Sequence, residues 1–396
     1  VFEANKPVLQ VADPEIIKQI IVKDFNKFVN RRSNSNISHP VFDLNLAAAK
    51  DEDWKRIRSI ASPTFTSGKM RKMYPLVRQS LNEFLDVLDT YAKQRKDINV
   101  KDMFGCYTMD VIANCAFATK TNTHKDPNDP FIINARNFFK PSVWRFFVVT
   151  LFPAFVLKMI NIRTFIDENS ITFFCGIVTQ ILKMRQKSDK KYNDFMALMM
   201  NAEKGSHSNR DETDIHEAHH VNEGADELAV ESKVLDIKLS NKMLTEGEIQ
   251  AQGIVFFAAG YETTATLLTY CSYELALNAH IQQKLYEEIR SSFDSNGEID
   301  YNLLARLPYL DAVLSEALRL HSPAIKLSRV ASEDYKLGDT GITIQKGQTV
   351  EFGTYAIHHS EEYYPNAEKF TPERFLPENR HKILPYTYLP FGAGPR

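Results

Sequence analysis

The chain has few cysteines and no excess charge of either sign, and both shortages narrow the classes of function. Only four cysteines occur in 396 residues, and they show neither CxxC pairing nor metal-ligand spacing. We therefore interpret Cys106, Cys115, Cys175 and Cys271 as reduced, buried thiols. The net charge of -2 does not indicate a nucleic-acid-binding protein, which is usually basic.

The chain also lacks a long hydrophobic run. Its most apolar uncharged stretch, residues 146–157, is interrupted by Pro153 and is shorter than the roughly 20 residues that span a bilayer. No signal peptide is visible. Because the chain begins with Val1 and stops within a motif described below, we interpret it as a fragment, and a membrane anchor ahead of it stays an open alternative.

Apolar residues spaced three and four apart predict that most of the chain is helical. Strand patterns are confined to residues 7–11 and 335–352, where a Lys346-Gly347 turn predicts a small hairpin or sheet. We expect a mainly α fold with a small β region, formed as a single domain by residues 1–396. The predicted helices cover residues 50–60, 72–96, 245–279 and 310–320.

Residues 203–231 differ from the rest because they are polar and acidic, which predicts a surface insertion in one core. Within them, residues 216–220 match the H-E-x-x-H pattern of zinc proteases, with His216 and His220 as ligands and Glu217 as general base. That pattern needs an apolar, well-packed helix, so we favour the solvated insertion. A helix start follows, because Thr245-x-x-Glu248 has the spacing of a capping box.

The last six residues, 391–396, form a loop rich in glycine and proline that ends in an arginine. Glycines at alternate positions let a backbone pass close to a bulky flat ligand. The arginine can pair with a carboxylate.

Residues 259–264 place a glycine, a glutamate and two threonines in the middle of a long apolar helix. Such residues are costly in a buried helix, so something should compensate. Two interpretations stay open. Either a ligand approaches Gly260 and bonds Thr263, or the helix packs closely at the glycine while the threonines bond their own backbone.

Two further pairs of side chains share a helix face. Glu316 and Arg319 are three apart in a leucine-rich helix, which predicts a buried ion pair, although most such pairs are exposed and contribute only about 0.3 kcal/mol. Trp54 and Arg58 are four apart. Both donate hydrogen bonds and suit a carboxylate, and a tryptophan stacked on a surface arginine is the alternative.

In their order along the chain, these motifs resemble those of the cytochrome P450 haem-thiolate monooxygenases. The terminal residues match the Phe-x-x-Gly-x-Arg part of the Phe-x-x-Gly-x-Arg-x-Cys loop, and residues 259–264 match the oxygen-binding stretch of the long helix. Glu316-x-x-Arg319 is followed by the second arginine motif, residues 372–375. The chain is most similar to the microsomal branch that holds vertebrate xenobiotic-oxidising enzymes and thromboxane synthase.

The resemblance implies a single mainly α fold that binds haem b. It implies an iron-ligating cysteine two positions beyond Arg396 and no iron ligand within the given residues. His321-Ser322-Pro323 departs from the commoner aromatic-Pro-Pro, which affects only a helix end. The residues that the resemblance assigns to haem binding are Arg31, Trp54, Arg58, Arg329, Phe391, Gly394 and Arg396.

The resemblance also implies roles in catalysis and substrate binding. Glu262 and Thr263, beside Gly260, would deliver protons during oxygen activation. A structural triad of Glu316, Arg319 and Arg374 would fix the cysteine loop. The implied substrate contacts are Phe256, Phe257, Ala259, Ala324 and Ile325, together with residues 33–46 and 138–157.

The implied reaction inserts one oxygen atom of dioxygen into a lipophilic substrate, with electrons that an NADPH-cytochrome P450 reductase supplies. The full protein would lie on the cytosolic face of the endoplasmic reticulum membrane, and residues 146–157 would touch the membrane surface. Two alternatives stay open: a reductase-independent isomerase of the thromboxane-synthase type, and a non-catalytic helical binding protein if the chain ends at Arg396. A cluster of basic residues either meets an acidic reductase or is a solvated helix end. It comprises Lys55, Arg56, Lys69, Arg71 and Lys72.

Overall fold

The computed structural model of the chain describes most residues, and these form two compact units. One unit comprises Val1–Arg32, Ala218–Ile237 and Thr266–Arg396, and the other comprises Ser33–Glu217 and Lys238–Ala265. The predicted H-E-x-x-H segment and most of the predicted insertion lie outside the described residues. The described residues are 1–3, 6–32, 39–119, 121, 123–124, 126, 128–140, 142–160, 162, 164–188, 194–203, 230, 234 and 243–396.

Helices dominate the described residues, as the apolar periodicity predicts. The four helices predicted from sequence all form, with ends that differ by a few residues. The largest difference is at α3, which starts at Ser67 rather than at residue 72. The prediction started the helix too late because Ser67 and Gly68 are weak helix formers. The helices are α1 Pro14–Lys18, α2 Asp51–Ala61, α3 Ser67–Gln94, α4 Val100–Phe117, α5 Pro130–Phe139, α6 Val143–Leu151, α7 Ala154–Met159, α8 Glu168–Gln186, α9 Phe195–Glu203, α10 Glu246–Leu277, α11 Ala279–Ser291, α12 Tyr301–Leu304, α13 Pro308–Leu320 and α14 Thr354–His358.

The long helix α10 begins with the predicted capping box. The backbone N–H of Thr245 donates to Glu248 Oε2 at 2.7 Å, and the N–H of Glu248 donates to Thr245 Oγ1 at 3.2 Å. Glu248 also accepts from the guanidinium of Arg56, whose Nη1 lies 3.2 Å from Oε2. This ion pair holds α2 against the start of α10 within one unit.

Strands occur in the first unit, where the described residues form a sheet in the order β1-β2-β6-β3 and a separate β4-β5 pair. β2 runs parallel to β6, with Val8 opposite Thr349, and β3 runs antiparallel to β6. The strands are β1 Phe2–Glu3, β2 Lys6–Val11, β3 Leu327–Val330, β4 Tyr335–Lys336, β5 Thr343–Ile344 and β6 Thr349–Phe352.

The region predicted as a hairpin or sheet forms strands, but they do not pair across the Lys346-Gly347 turn. The strand before the turn, β5, pairs with β4, whereas β6 pairs with β2 and β3. A sequence pattern gives the strands and the turn, but the choice of partner depends on long-range packing. Here β6 is buried along most of its length because it is a central strand.

Candidate active site

The middle of α10 presents one open face and one packed face. Ala259, Thr263 and Thr264 are exposed, and the hydroxyl of Thr263 donates to the carbonyl oxygen of Ala259 at 2.7 Å. A Cβ atom built on Gly260 would lie 2.7 Å from the side chain of Ile112 on α4. The structure therefore shows close helix packing at Gly260 and a backbone bond at Thr263, and it leaves the neighbouring face accessible to a ligand.

Glu262 lies on the side of α10 that faces α4. Its Oε1 atom is 2.6 Å from the Nζ atom of Lys101, and both side chains are half-buried. On the preceding residue, the carbonyl oxygen of Tyr261 accepts a hydrogen bond from the hydroxyl of Thr108 at 2.9 Å. Burial raises the pKa of the Tyr261 phenol to about 12, so this tyrosine remains neutral. The carboxylate is thus held one residue from Thr263 by a cation on another helix.

The two phenylalanines predicted to bind substrate have different surroundings. Phe257 is buried, and its ring stacks on Phe117 with centroids 3.9 Å apart and on Phe174 with centroids 5.1 Å apart. The cavity beside it measures about 10 Å³, which is enough for one water molecule at most. Phe256 is half-buried and stacks on Phe65 at 5.4 Å. Of the two, Phe256 has the side chain that a ligand could reach.

The helix α2 carries Trp54 and Arg58 on one face, as their four-residue spacing predicts. Trp54 is buried, and the carbonyl oxygen of Arg58 accepts from the Ser62 hydroxyl at 2.9 Å. Since Arg56 anchors the same helix to Glu248, the positions of Trp54 and Arg58 are fixed within their unit.

In the other unit, Glu316 and Arg319 form a buried ion pair. Both side chains are 0% exposed, and the Nε and Nη2 atoms of Arg319 lie 2.7 and 2.9 Å from the two carboxylate oxygens. The guanidinium also donates to the carbonyl oxygens of His358 at 2.5 Å and Ala367 at 2.7 Å. The prediction of a buried pair rather than a surface pair is confirmed.

Arg374 joins this pair, as the triad prediction expects. Its Nε atom lies 3.4 Å from Glu316 Oε1, and its Nη2 atom donates to the carbonyl oxygens of Pro365 and Asn366. The backbone N–H of Thr371 donates to the same carboxylate oxygen at 2.9 Å. One glutamate thereby links α13 to the turn of residues 372–375.

The sequence reasoning missed His358, which connects this network to the terminal loop. Its Nδ1–H donates to the carbonyl oxygen of Arg319 at 3.1 Å, and its Nε2 accepts from the N–H of Leu389 at 2.9 Å. Burial and the nearby Arg319 lower the pKa of His358 to about 3, so the imidazole is neutral. The only signal in the sequence was a histidine in an apolar helix end, which is more often a core residue than a functional one.

The terminal loop is shaped by two glycines with positive φ, Gly392 at 82° and Gly394 at 78°. A Cβ atom on Gly394 would lie 2.1 Å from the carbonyl oxygen of Ile21. The close approach in the structure is thus to the protein backbone, which adds a second reason for glycine at this position. Phe391 is exposed, and Arg396 Nη1 donates to the carbonyl oxygen of Val29 at 3.1 Å.

Three arginines predicted to bind haem lie close together in this unit: Arg31, Arg329 and Arg396. Burial, and then repulsion by Arg31 and Arg396, lower the pKa of Arg329 to about 9. Arg329 donates to the carbonyl oxygens of Ser328 and Arg396, and its buried Nε has no hydrogen-bond partner among the described residues. In the part of the chain that the structure describes, no carboxylate side chain forms an ion pair with Arg329, so the cluster is suited to a carboxylate ligand.

The two remaining predicted substrate residues lie in the connection between α13 and β3. The carbonyl oxygen of Ala324 accepts from the hydroxyls of Ser322 and Thr354, and that of Ile325 accepts from the N–H of Tyr355. The Ile325 side chain is exposed. The backbone of this connection is therefore fixed while an apolar side chain remains available.

Comparison with known proteins identifies the family. The family model described as Cytochrome P450 matches residues 1–396, the whole chain. The chain belongs to the cytochrome P450 family. The single match over the full length agrees with the predicted fold class, a mainly α cytochrome P450 fold with a small β region.

Curated relatives of this cytochrome P450 are full-length matches to the chain. Cytochrome P450 3A11 of Mus musculus is 37% identical over 404 residues, and Cytochrome P450 3A2 of Rattus norvegicus is 37% identical over 408 residues. Lithocholate 6-beta-hydroxylase of Mesocricetus auratus is 35% identical over 404 residues. Each comparison covers 100% of this chain and 73% of the relative. The protein is therefore a haem-dependent monooxygenase, an oxidoreductase whose cofactor is haem b.

The described residues fit this cofactor in part. Haem b carries propionate carboxylates, which match the cationic surroundings of Arg329. The iron ligand of a haem-thiolate protein is a deprotonated cysteine. In this cytochrome P450, burial raises the pKa of Cys106, Cys115 and Cys271 to about 11, and it also raises the pKa of Cys175. All four are neutral thiols at pH 7, and none has the electrostatic surroundings of a thiolate. Three of them are buried, as the sequence predicts, whereas Cys175 is half-buried, so the prediction of burial is wrong there.

Proposed function

We propose that this cytochrome P450 inserts one oxygen atom of dioxygen into a lipophilic substrate and takes its electrons from NADPH through a cytochrome P450 reductase. The observation that carries the proposal is the match of the whole chain to relatives that include a lithocholate 6-beta-hydroxylase. When bound, the haem iron supplies the chemistry of oxygen activation, and the protein supplies binding, orientation and protons.

We propose that a haem carboxylate binds to the cationic residues around Arg329. In the first unit, Arg329 is the main candidate because burial among like charges disfavours its charged form, which an anion would stabilise. Arg31 and Arg396 surround it. Trp54 and Arg58 on α2 stay a separate haem-binding proposal, which rests on the resemblance in sequence. Since the four cysteines described above are neutral thiols, we propose that the iron ligand is the cysteine expected two positions beyond Arg396, with Phe391 and Gly394 shaping its loop.

We assign proton delivery to Glu262 and Thr263. The Thr263 hydroxyl donates to the Ala259 carbonyl, so its oxygen still has lone pairs that can accept a proton donor on the exposed face. Glu262, the preceding residue, faces α4, where Lys101 lies 2.6 Å from its carboxyl group. By taking up a proton from solvent and passing it on through water, the carboxyl group would replace a proton that the hydroxyl has given away.

We propose that α6 and α7 rest on a membrane surface. Their exposed side chains include Trp144 at 71%, Leu151 at 72% and Met159 at 81%, a concentration of apolar surface that soluble monomers rarely expose. Among the described helices, none combines the length and apolar character needed to cross a bilayer. The proposed location remains the cytosolic face of the endoplasmic reticulum membrane.

Two members of the basic cluster form ion pairs within the protein, which leaves fewer of them for a reductase. Arg56 is occupied by Asp53 and Glu248, and Lys55 pairs with Glu52. The exposed part of the cluster is Arg71 and Lys72 near the start of α3. We therefore propose that this part meets the acidic surface of the reductase.

The test is oxidation by the full-length protein in membranes with reductase and ¹⁸O₂. Lithocholate, named in the relative from Mesocricetus auratus, is one suitable lipophilic probe. We expect NADPH-dependent product that carries one labelled oxygen atom. Product formed without NADPH would favour the isomerase alternative, and binding of lipophilic probes without any product would favour the non-catalytic alternative.

Two adjacent threonines provide a matched pair for the proton-delivery assignment. Thr263→Val should lower product formed per NADPH consumed by about tenfold or more, because general acid–base groups contribute at least about a hundredfold to rate. Thr264→Val, which removes the neighbouring exposed hydroxyl, should leave that ratio within about twofold. Equal effects of the two substitutions would contradict the assignment.

A further inference from the structure

The amide of Gln252 on α10 is completely buried, and it bonds a segment far away in sequence. Its side chain is 0% exposed. Oε1 accepts from the backbone N–H of Leu46 at 2.8 Å, and Nε2 donates to the carbonyl oxygen of Leu44 at 3.0 Å. A second donation reaches the carbonyl oxygen of Glu248 at 3.1 Å. A buried amide with this number of bonds fixes the segment that it contacts.

The segment that Gln252 bonds is already ordered by its own side chain. Asn45 is buried, and its Oδ1 accepts from the N–H groups of Ala47 at 2.8 Å and Ala48 at 3.0 Å. Its Nδ2 donates to the carbonyl oxygen of Phe42. Residues 42–48 therefore form a turn with its own internal hydrogen bonds, and Gln252 bonds this turn to α10.

Gln252 lies on the same face of α10 as the open residues of the candidate site. At 3.6 residues per turn, Phe256, Ala259 and Thr263 fall within about 40° of Gln252 around the helix axis. The axial rise of 1.5 Å per residue places Gln252 about 10 Å from Ala259 and about 16 Å from Thr263. The turn is thus fixed to the stripe of α10 that leads to the proposed oxygen-activating residues, all within one unit.

We propose that Gln252 is a positioning residue for substrate specificity. It holds the backbone of Leu44 and Leu46 against α10, and so sets the wall that a lipophilic substrate meets on its way to Ala259 and Thr263. This inference rests on the proposed monooxygenase function, because specificity has meaning only for an enzyme that turns a substrate over. The clamp itself is a property of the fold and can be measured without turnover.

The first arm of the test is amide hydrogen exchange in the haem-loaded, full-length protein with Gln252→Met, a substitution of similar length that cannot make these bonds. The Leu46 amide should exchange about tenfold faster, since its acceptor is lost. The Ala47 and Ala48 amides, which Asn45 protects, should change by less than about threefold. Unchanged exchange at Leu46 would overturn the clamp.

The second arm measures turnover of several lipophilic substrates. Gln252→Met should change the ratio of products from one substrate by about threefold or more and raise KM more than it changes kcat, because the loss is in placing the substrate. The matched control is Gln250→Met on the same helix, whose amide bonds Thr179 and Glu246 instead. Product ratios that match this control would overturn the specificity role.

A second variant covers a failure of Gln252→Met to fold. Gln252→Asn keeps a neutral amide, but its side chain is one methylene shorter and cannot reach Leu44 and Leu46. It should also speed exchange at Leu46 and alter the product ratio, and an unaltered ratio would again overturn the proposal. If the native protein itself forms no oxidation product, the proposed function fails, whereas the exchange arm still decides whether the clamp exists.

Discussion

Two buried arginines in the same unit, Arg319 and Arg329, differ in the groups that surround their guanidinium charge. Arg319 has a complete set of partners, with both oxygens of Glu316 and two backbone carbonyls within hydrogen-bond distance. Arg329 is only 2% exposed and donates to backbone carbonyls, with Arg31 and Arg396 nearby. The first arginine is part of the scaffold, while the second lacks the anion that would stabilise its charge.

The difference follows from the cost of burying charge. A buried ion needs a partner, and removing one partner of a buried pair costs several kcal/mol. The fold supplies a carboxylate to Arg319, whereas burial and then the nearby Arg31 and Arg396 lower the pKa of Arg329 to about 9. This low pKa supports our proposal that Arg329 binds an anionic ligand, and the family's cofactor supplies carboxylates.

The largest expected effect comes from breaking the complete pair. Glu316→Gln leaves Arg319 buried without its counter-charge, so we expect a loss of about 3–5 kcal/mol in the free energy of unfolding. Denaturant titration of the haem-loaded protein measures this loss. The control is Glu373→Gln, which breaks the exposed ion pair between Glu373 and Lys284 and should cost less than about 1 kcal/mol. Equal losses would contradict the scaffold role.

A sharper form of the comparison replaces each arginine by methionine. Arg319→Met should destabilise the haem-free protein by about 3–5 kcal/mol, because Glu316 is left as an unpaired buried carboxylate. Arg329→Met removes a charge that burial disfavours and should leave haem-free stability unchanged or higher. The two free energies of unfolding are compared in one denaturant series. If Arg329→Met lowered the free energy of unfolding as much as Arg319→Met, the proposed difference between the two arginines would be contradicted.

Within one pH unit below 6.5, the smallest expected effect is a pH dependence from His358, which donates to the carbonyl oxygen of Arg319. Its pKa is about 3 in the folded chain and near 6.5 when unfolded, so the unfolded state binds the extra proton between these values. Stability should therefore fall as pH drops below about 6.5, by at most about 1.4 kcal/mol per pH unit. His358→Gln should reduce the slope of the unfolding free energy against pH by the contribution of one bound proton. An unchanged slope would show that His358 does not titrate in this way.

The sequence predicts local features of this protein well. The helix periodicity, the capping box at Thr245 and the burial of Glu316 with Arg319 all follow from residues within a few positions of one another. The motif order also leads to the family, which the whole-chain match confirms. These features are predictable because they depend on helix geometry and on nearby side chains.

Contacts between distant segments are what the sequence does not reveal. Gln252 bonds Leu46 across 206 positions, and Gly260 is required by the side chain of Ile112 on another helix. The parallel pairing of β2 with β6 is equally remote. Periodicity shows which face of an element is apolar, but not which segment packs against it. The low pKa of Arg329 likewise arises only when folding buries its side chain and brings Arg31 and Arg396 close to it.

The most direct test compares iron protoporphyrin IX with its dimethyl ester, which lacks both carboxylate charges, in wild-type protein and in Arg329→Met. The wild type should bind the free acid more tightly, and the substitution should reduce that preference by roughly tenfold or more, the value of one charge-assisted hydrogen bond. Arg380→Met, which removes an arginine paired with Asp311, should leave the preference unchanged. If Arg329→Met also left it unchanged, the assignment of Arg329 to a haem carboxylate would be contradicted.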